Sequence, residues 1–354
     1  MLESDRQFKV ILNPISGAGR GLQQGTALAH LLRQQGINAE VFITRQSGDA
    51  EQEASRTQIP IIVVGGDGTI NEVINGLAGR KISLTAFPVG TANILAREFH
   101  LPRKPEAFLS LIQSGRTRLR DAGLLEAGQL QYNHKPDTDH KPDIGYRPDI
   151  GYNPDTAHKP DNPLPSRLQH NQVSPQTQHV SVSPQRHRRF LMLASIGLDA
   201  EVTRIIRRIR TGSIHLHSYL RPLWYAMKDY HYRPFTLVID DQLVVTQITT
   251  AVIGNIRNYG GFFSITHKAR ADDGLLDICT FPGQTRQDYF RYLTGAILRR
   301  PSIFSDVAYY RGKKVEVFQT SSPVPVELDG DFWGYTPFTC TILPQSVPLL
   351  LPHE

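Results

Sequence analysis

The chain has 354 residues, 40% apolar and 20% charged, enough to bury the cores of two domains and too apolar for a disordered polymer. Its formal net charge of +6 favours anionic partners, yet no run reaches the roughly 18 apolar residues of a membrane span, and no zinc-finger, RNP or KH signature marks a nucleic-acid binder. Cys279 and Cys340 lie far apart without metal-ligand spacing and read as buried thiols of a reducing compartment, and the acidic start MLESD is unlike a signal peptide, so a cytoplasmic location is expected.

From Phe8 to about Thr117, strand and helix patterns alternate. FKVILN, AEVFIT, IPIIVV and SLTAFPV read as strands; Leu22 to Gln35, GDAEQEASR, Thr69 to Leu77, Ala92 to Phe99 and Pro105 to Gln113 read as helices. This alternation predicts a doubly wound α/β domain over residues 1–118, with a parallel sheet and ligands beyond its strands' carboxyl ends. From Arg118 the texture changes to paired strands: RLRDAGLLEA, FLMLASIGL, FTLVIDDQLVVTQITTAVIGN, LLDICTF, KKVEVFQ, PVPVELDG and PFTCTIL. They predict a mostly antiparallel second domain over 119–345, with helices at Ala200 to Arg210, Leu216 to Tyr230 and Thr285 to Leu298, and a short tail at 346–354. Residues 131–189 interrupt it with HKPD, HKPD, YRPD, YNPD and HKPD at a six-residue period, followed by a Pro-, Gln-, Ser- and His-rich stretch. With a proline in every repeat and little to bury, this reads as a disordered insertion.

Three glycine-bearing loops fall at strand ends. The middle one, Gly65-Gly66-Asp67-Gly68-Thr69, is the most telling. Glycines let backbone N–H groups approach phosphate oxygens, a helix N-terminus adds donors, Thr69 stands where an N-cap would stand, and Asp67 is an oxygen ligand suited to Mg²⁺. The first, NPISGAGRG from Asn13 to Gly21, is neither a Walker A nor a dinucleotide fingerprint, since position 22 is leucine. The third, PVGTANILAREFHLP, repeats the pattern at Gly90 and Thr91, and Asn93 can offer an amide to a base or phosphate.

NPISG, GGDGTINEV and PVGTANILAREFHLP, in this order, resemble the diacylglycerol kinase catalytic family, which includes bacterial lipid kinases and is related to sphingosine and ceramide kinases. RLRDAG, SIGLDAEV, ARADDGLLDICTF and VELDGDFWG extend the resemblance over nearly the whole chain outside the insertion. It implies an N-terminal ATP-binding α/β domain, a C-terminal β-sandwich, and an active site in the cleft between them. ATP contacts carried over by motif fall on Asn13, Pro14, Ser16, Gly17, Thr44, Gly65, Gly66, Asp67, Gly68, Thr69, Asn71 and Thr91. Asp67 matches the carboxylate that organises catalytic Mg²⁺, and Asp121 a second acidic position. Asp273, with backbone oxygens of Arg270 and Leu275, matches a structural Mg²⁺ site, for which the alternative is a plain DDG hairpin turn.

Phosphoryl transfer to an alcohol needs a carboxylate near the hydroxyl proton. Relatives usually read DGE where this chain reads Asp329-Gly330-Asp331. Asp331 keeps the charge but reaches about 1.5 Å less far, one carbon–carbon bond, and a misplacement of about 1 Å can cost on the order of a hundredfold in rate. The expected acceptor is the hydroxyl of a diacylglycerol-like or sphingoid lipid. Arg204, Arg207, Arg208, Arg210, Arg221 and Lys228, interleaved with Trp224, Tyr225 and Tyr232, suit peripheral contact with an anionic membrane. Open alternatives are a kinase acting on NAD and a nucleotide- or lipid-binding protein with weak catalysis. Which lipid is the acceptor, and the oligomeric state, stay open.

Overall fold

In a computed structural model, the described residues are 7–128, 187–209, 230–258, 264–298, 303–319 and 322–353. The repeat insertion up to residue 186, the helix expected at 216–230 except for Tyr230, and the side chains of Arg207, Arg208, Arg210, Arg221 and Lys228 lie outside them.

The N-terminal part winds as β1 (Gln7–Leu12), α1 (Arg20–Gln34), β2 (Asn38–Ile43), α2 (Asp49–Arg56), β3 (Ile61–Gly65), α3 (Asp67–Leu77) and β4 (Leu84–Pro88). These strands are parallel in the order β2-β1-β3-β4. Every residue of β3 and β4 is buried, which is why both read as unbroken apolar runs rather than alternating ones. Two more helices follow, α4 (Ile94–Glu98) and α5 (Pro105–Ser114), then β5 (Arg116–Ala127).

The second half contains β6 (His187–Phe190), β7 (Leu193–Ile196), α6 (Leu198–Ile209), β8 (Phe235–Ile239), β9 (Leu243–Ile248), β10 (Thr250–Gly254) and β11 (Leu276–Phe281). It closes with α7 (Arg286–Ile297), β12 (Ala308–Gly312), β13 (Lys314–Gln319), β14 (Pro325–Leu328), β15 (Asp331–Tyr335) and β16 (Phe338–Leu351). One face of the sandwich is the antiparallel sheet β12-β11-β10-β7-β14-β15. The other is built from β5, β6, β8, β9, β13 and β16, and between them lie Leu125, Phe190, Phe235, Leu237, Ile253, Ile278, Val317 and Phe338. Each such side chain contributes roughly 1.5–3 kcal/mol by leaving water. Cys279 and Cys340 are free and buried, and burial pushes both thiols up.

Four sequence readings need correction. The tail expected at 346–354 is strand for most of its length. Pro344, Gln345 and Ser346 look like a breaker, but they form a bulge in which Gln345 takes positive φ and gives its N–H to Asp121 Oδ1 at 2.8 Å. Pairing then resumes from Val347↔Arg120 to Leu351↔Arg116, and Leu349 pairs parallel with Leu84. β16 therefore joins the sandwich to the parallel sheet in one ten-stranded sheet, and the boundary drawn at residue 118 falls inside β5. At the insertion's far end, residues 187–189 are not disordered but belong to β6, paired with β5 from Glu126↔His187 to Gly123↔Phe190. Finally, FLMLASIGL is not one strand. It breaks at Leu191 and Met192, whose N–H groups turn toward Asp329.

Candidate active site

The three glycine loops meet beyond the ends of β1, β3 and β4. Gly17 has φ 62°, and a Cβ there would lie 1.9 Å from the Val89 carbonyl oxygen, so the first loop presses directly on the third. A Cβ on Gly90 would stand 2.7 Å from Gly66 Cα, so the third presses on the second. Asn13 Nδ2 donates to Thr69 Oγ1 at 3.1 Å, tying the first to the second. Thr44 closes the edge, its N–H donating to the Leu12 carbonyl beside Asn13. Pro14 and Ser16 are half-buried in the first loop, and Thr91 is exposed in the third.

The helix starts here differ from expectation. α3 begins at Asp67 with Gly66 as its N-cap, so Thr69 sits inside the first turn, buried, with its hydroxyl facing Asn13. Asp67 caps the neighbouring helix instead: its Oδ2 and Oδ1 accept the N–H groups of Ile94 and Leu95 at 3.1 and 3.2 Å, at the start of α4. Burial pushes the Asp67 carboxyl up and these donors oppose that. Asn93, at the N-cap of α4, gives its amide N–H to the Gly90 carbonyl at 2.7 Å.

The DGD segment is a two-residue hairpin turn between β14 and β15, with Asp329 at φ 49° and Gly330 at φ 87°. Its two aspartates separate. Asp329 is buried, and its Oδ2 accepts from Asn71 Nδ2 at 2.9 Å and Leu191 N–H at 3.0 Å. Its Oδ1 accepts from the N–H groups of Met192 and Leu193 at 2.9 and 3.0 Å. Burial pushes this carboxyl up to about 6 against those donors. Asp331 is exposed, and a Cβ built on Gly68 would stand 3.5 Å from its Oδ2, so its carboxylate overlooks the first turn of α3. Asp67 and Asp329, with Ile70, Leu95, Leu191 and Met192, line one narrow crevice beside it.

Asn71, expected to face a nucleotide, holds the two halves together. Besides Asp329 it bonds the Arg189 carbonyl at 3.1 Å and accepts from Arg188 Nε at 2.9 Å. Asn75, one turn on, accepts the Arg189 N–H at 2.8 Å. Asp121 is fully buried away from the glycine loops' hydrogen bonds. Its oxygens take the N–H groups of Gly274 at 2.7 Å and Gln345 at 2.8 Å, which makes it a fold tie. Asn255 Nδ2 bridges the carbonyls of Asp121 and Leu191, at 2.9 and 2.8 Å, carrying that tie to the crevice wall.

Sequence reasoning missed Asn75, Asn255 and Glu327. Glu327 is buried on β14, accepts the Thr203 hydroxyl from α6, and is held well above the usual carboxylate range by burial and by Asp199. Sequence alternation hides it: Val324, Val326 and Leu328 mark the sandwich face, and Glu327 falls on the opposite one, which α6 covers.

The two expected Mg²⁺ positions fare differently. Asp67 suits a cation carried in by a nucleotide: each oxygen spends one lone pair on an N–H and keeps another, and Mg²⁺ is commonly held by one or two carboxylates plus phosphates and water. No group of three or more His, Cys, Asp or Glu side chains suited to a metal occurs among the described residues. At the second position the Asp273 carboxylate is already engaged. Asp273 Oδ1 accepts the Leu275 N–H at 3.2 Å and Oδ2 pairs with Arg311, whose Nε is 3.3 Å from Asp277 Oδ1. The Arg270 side chain, which has no part in the expected site, pairs with Asp272 Oδ1 at 3.2 Å. A guanidinium already fills the cation's role.

Comparison with known proteins matches both halves. The family model for the diacylglycerol kinase catalytic domain covers residues 7–125, and that for the YegS C-terminal NAD kinase beta sandwich-like domain covers 192–351. A diacylglycerol kinase of Mycobacterium tuberculosis is 24% identical over 97% of this chain and 94% of its own. One from Bacillus subtilis is 23% identical over 99% and 97%. A crystal structure of a diacylglycerol kinase from Bacillus anthracis shares the fold, with a TM-score of 0.62 at 18% identity, covering 98% of this chain and 97% of that one. Matched in both domains and along almost its whole length, the chain belongs to the diacylglycerol kinase family, a family of lipid kinases.

Proposed function

We propose that this protein transfers the γ-phosphoryl group of ATP, with Mg²⁺, to the free hydroxyl of a diacylglycerol-like lipid at a membrane face. The observation that carries this reading is the exposed Asp331 carboxylate beside Gly68, where the glycine loops converge. Backbone N–H groups of the three loops and the N-terminus of α3 bind the phosphates. Mg²⁺, when bound beside Asp67, neutralises charge on the β- and γ-phosphate oxygens. Asp331 takes the hydroxyl proton as the lipid oxygen bonds to the γ-phosphorus and the bond to the bridging β–γ oxygen breaks, releasing ADP. Asp329 touches no reactant. Its four N–H donors hold the turn so that Asp331 faces the loops, and Asn71 links that turn to α3.

The test is transfer of labelled phosphate from ATP and Mg²⁺ to a panel of diacylglycerol, sphingoid bases, ceramide and NAD. Transfer to a glycerolipid, lost in Asp331→Asn, supports the reading. No transfer to any lipid, or transfer to NAD alone, ends it. Asp331→Glu restores the length that relatives carry, and a large rise in kcat would mean the native aspartate reaches short.

A further inference from the structure

We infer that Glu327 and Asp199 share a single proton in the seam between α6 and β14, and that this acid pair is a positioning device for Asp331. Only the positioning role rests on the lipid-kinase reading above. Glu327 is 4% exposed and turns away from the sandwich core toward α6. Its Oε2 accepts the Thr203 hydroxyl, and the Asp199 carboxyl, one helical turn before Thr203, stands within hydrogen-bond reach of it. Two carboxylates have no hydrogen to offer each other. Asp199 Oδ2 is accordingly buried with no donor among the described residues. Ser195, opposite Glu327 in the register of β7 and β14, is fully buried, and its hydroxyl has no partner among them either.

No opposite charge resolves this. Among the described residues no Lys, Arg or His pairs with either carboxylate, and Arg204 on the same helix is held by Glu201 at 2.6 Å, with Tyr335 of β15 nearby. Asp331, also on β15, adds a further negative charge. β7 offers the Ser195 hydroxyl, and Val202, Ile206 and Val252 belong to the apolar core around the seam. The hydroxyls of Ser195 and Thr203 donate hydrogen bonds but carry no charge. Two carboxylates so placed do not both ionise: burial and the Asp199 charge hold the Glu327 carboxyl well above its ordinary range. One proton then bridges them in a charge-assisted hydrogen bond.

The pair sits one register step from the turn that carries Asp331. Glu327 pairs with Phe332 across the hairpin, and the next pair, Leu328 with Asp331, is the last before the turn. From the α3 side, Asn71 and the N–H groups of residues 191–193 hold Asp329. From the α6 side, the shared proton and the Thr203 hydroxyl hold β14. Loss of that proton sets two carboxylates against each other and removes the second anchor. Asp331 then keeps its charge but not its fixed place beside Gly68.

The experiment begins with a readout that needs no activity: the infrared carbonyl stretch of a protonated carboxyl in the full chain at neutral pH, wild type minus Glu327→Gln. A band present in the wild type and lost in the variant is expected, and no such band overturns the pair. Steady-state kinetics then test the positioning role, with thermal unfolding to show that each variant is folded. Glu327→Ala should lower kcat on the order of tenfold to a hundredfold, the scale of a misplacement of up to about 1 Å, with KM for ATP little changed. Glu327→Gln should recover most of that loss, because its amide N–H replaces the shared proton toward Asp199 and its carbonyl still accepts from Thr203. Wild-type kcat should fall toward alkaline pH as the pair loses its proton, and the glutamine variant should not follow; this contrast decides the matter if the alanine variant does not fold. Equal losses in both variants would mean that Glu327 acts as an anion, and full activity in both that it positions nothing, and either result overturns the role. The band in a protein inactive on every lipid would sink the kinase reading and leave the proton pair standing.

Discussion

Two loops in this molecule look alike in sequence and behave differently in space. Gly66-Asp67-Gly68 and Asp272-Asp273-Gly274 each set a carboxylate beside a glycine at a chain reversal, and each reads as a cation site. Asp67 takes its hydrogen bonds from backbone N–H groups, with Arg97 near enough to favour its charged form, and lines the crevice. Asp273 meets Arg311, 38 residues further along the chain, and is neutralised within the fold. A local motif reports that a carboxylate can bind a cation. Whether the cation comes from outside depends on a residue the motif does not contain.

The comparison breaks most sharply on activity. Asp67→Asn should lower the phosphoryl-transfer rate by about 10²–10³-fold, the scale for losing one electrostatic partner of a developing charge. Asp273→Asn should leave kcat within a few-fold, because that loop lies outside the crevice. Its cost should be in stability. Steady-state kinetics on both variants, with thermal unfolding as control, checks this. Equal losses of kcat would erase the distinction between the two loops.

A third carboxylate sharpens the contrast through pH. Asp329 is ordinarily near 3.8, and burial raises it to about 6. A raised folded-state value means the folded protein holds that proton more tightly than the unfolded chain. Its stabilising contribution is therefore full below pH ~3.8 and lost as pH rises through about 6, a change of ~3 kcal/mol at 1.36 kcal/mol per pH unit. Asp329→Asn cannot titrate. The stability of wild type minus variant should fall by ~2.4 kcal/mol between pH 4 and pH 7 in urea unfolding, and a flat difference would refute the burial argument. Activity should run the other way, declining below pH ~6, because a protonated Asp329 turns an O–H toward groups that can only donate. A buried ionised group retained despite its stability cost is common where function needs it.

Much of this was legible in the chain. Unbroken apolar β3 and β4, helical spacing in α3, and glycines at three strand ends place the three loops without any coordinates. The turn that carries Asp331 is marked by its DGD motif alone. What sequence hides is where hydrogen-bond capacity goes. Asn71 and Asp67 are typical ligand-facing residues, yet Asn71 is spent on Asp329 and the Arg189 carbonyl, and Asp67 half-spent on capping α4. Pro344-Gln345-Ser346 reads as a stop because nothing local shows that Asp121, 224 residues earlier, will satisfy the Gln345 N–H. These pairings join segments far apart in sequence, where periodicity carries no information.

Arg311 offers the finest test. If its guanidinium is the built-in cation of the DDG loop, then chelating Mg²⁺ should leave the unfolding temperature of the nucleotide-free protein unchanged, and Arg311→Met should lower stability. The cost should be about 2 kcal/mol, below the usual value for breaking a fully buried pair because the arginine is only partly covered. Much of that cost comes from Asp277, which is fully buried and would keep only the Tyr309 hydroxyl, at 2.6 Å, as a partner. The variant also frees Asp273, so millimolar Mg²⁺ should recover part of the loss in Arg311→Met and none in Arg311→Met combined with Asp273→Asn. Mg²⁺-dependent stability in the wild-type protein would show instead that the arginine yields to the metal. The two glycine–aspartate loops would then be cation sites of one kind.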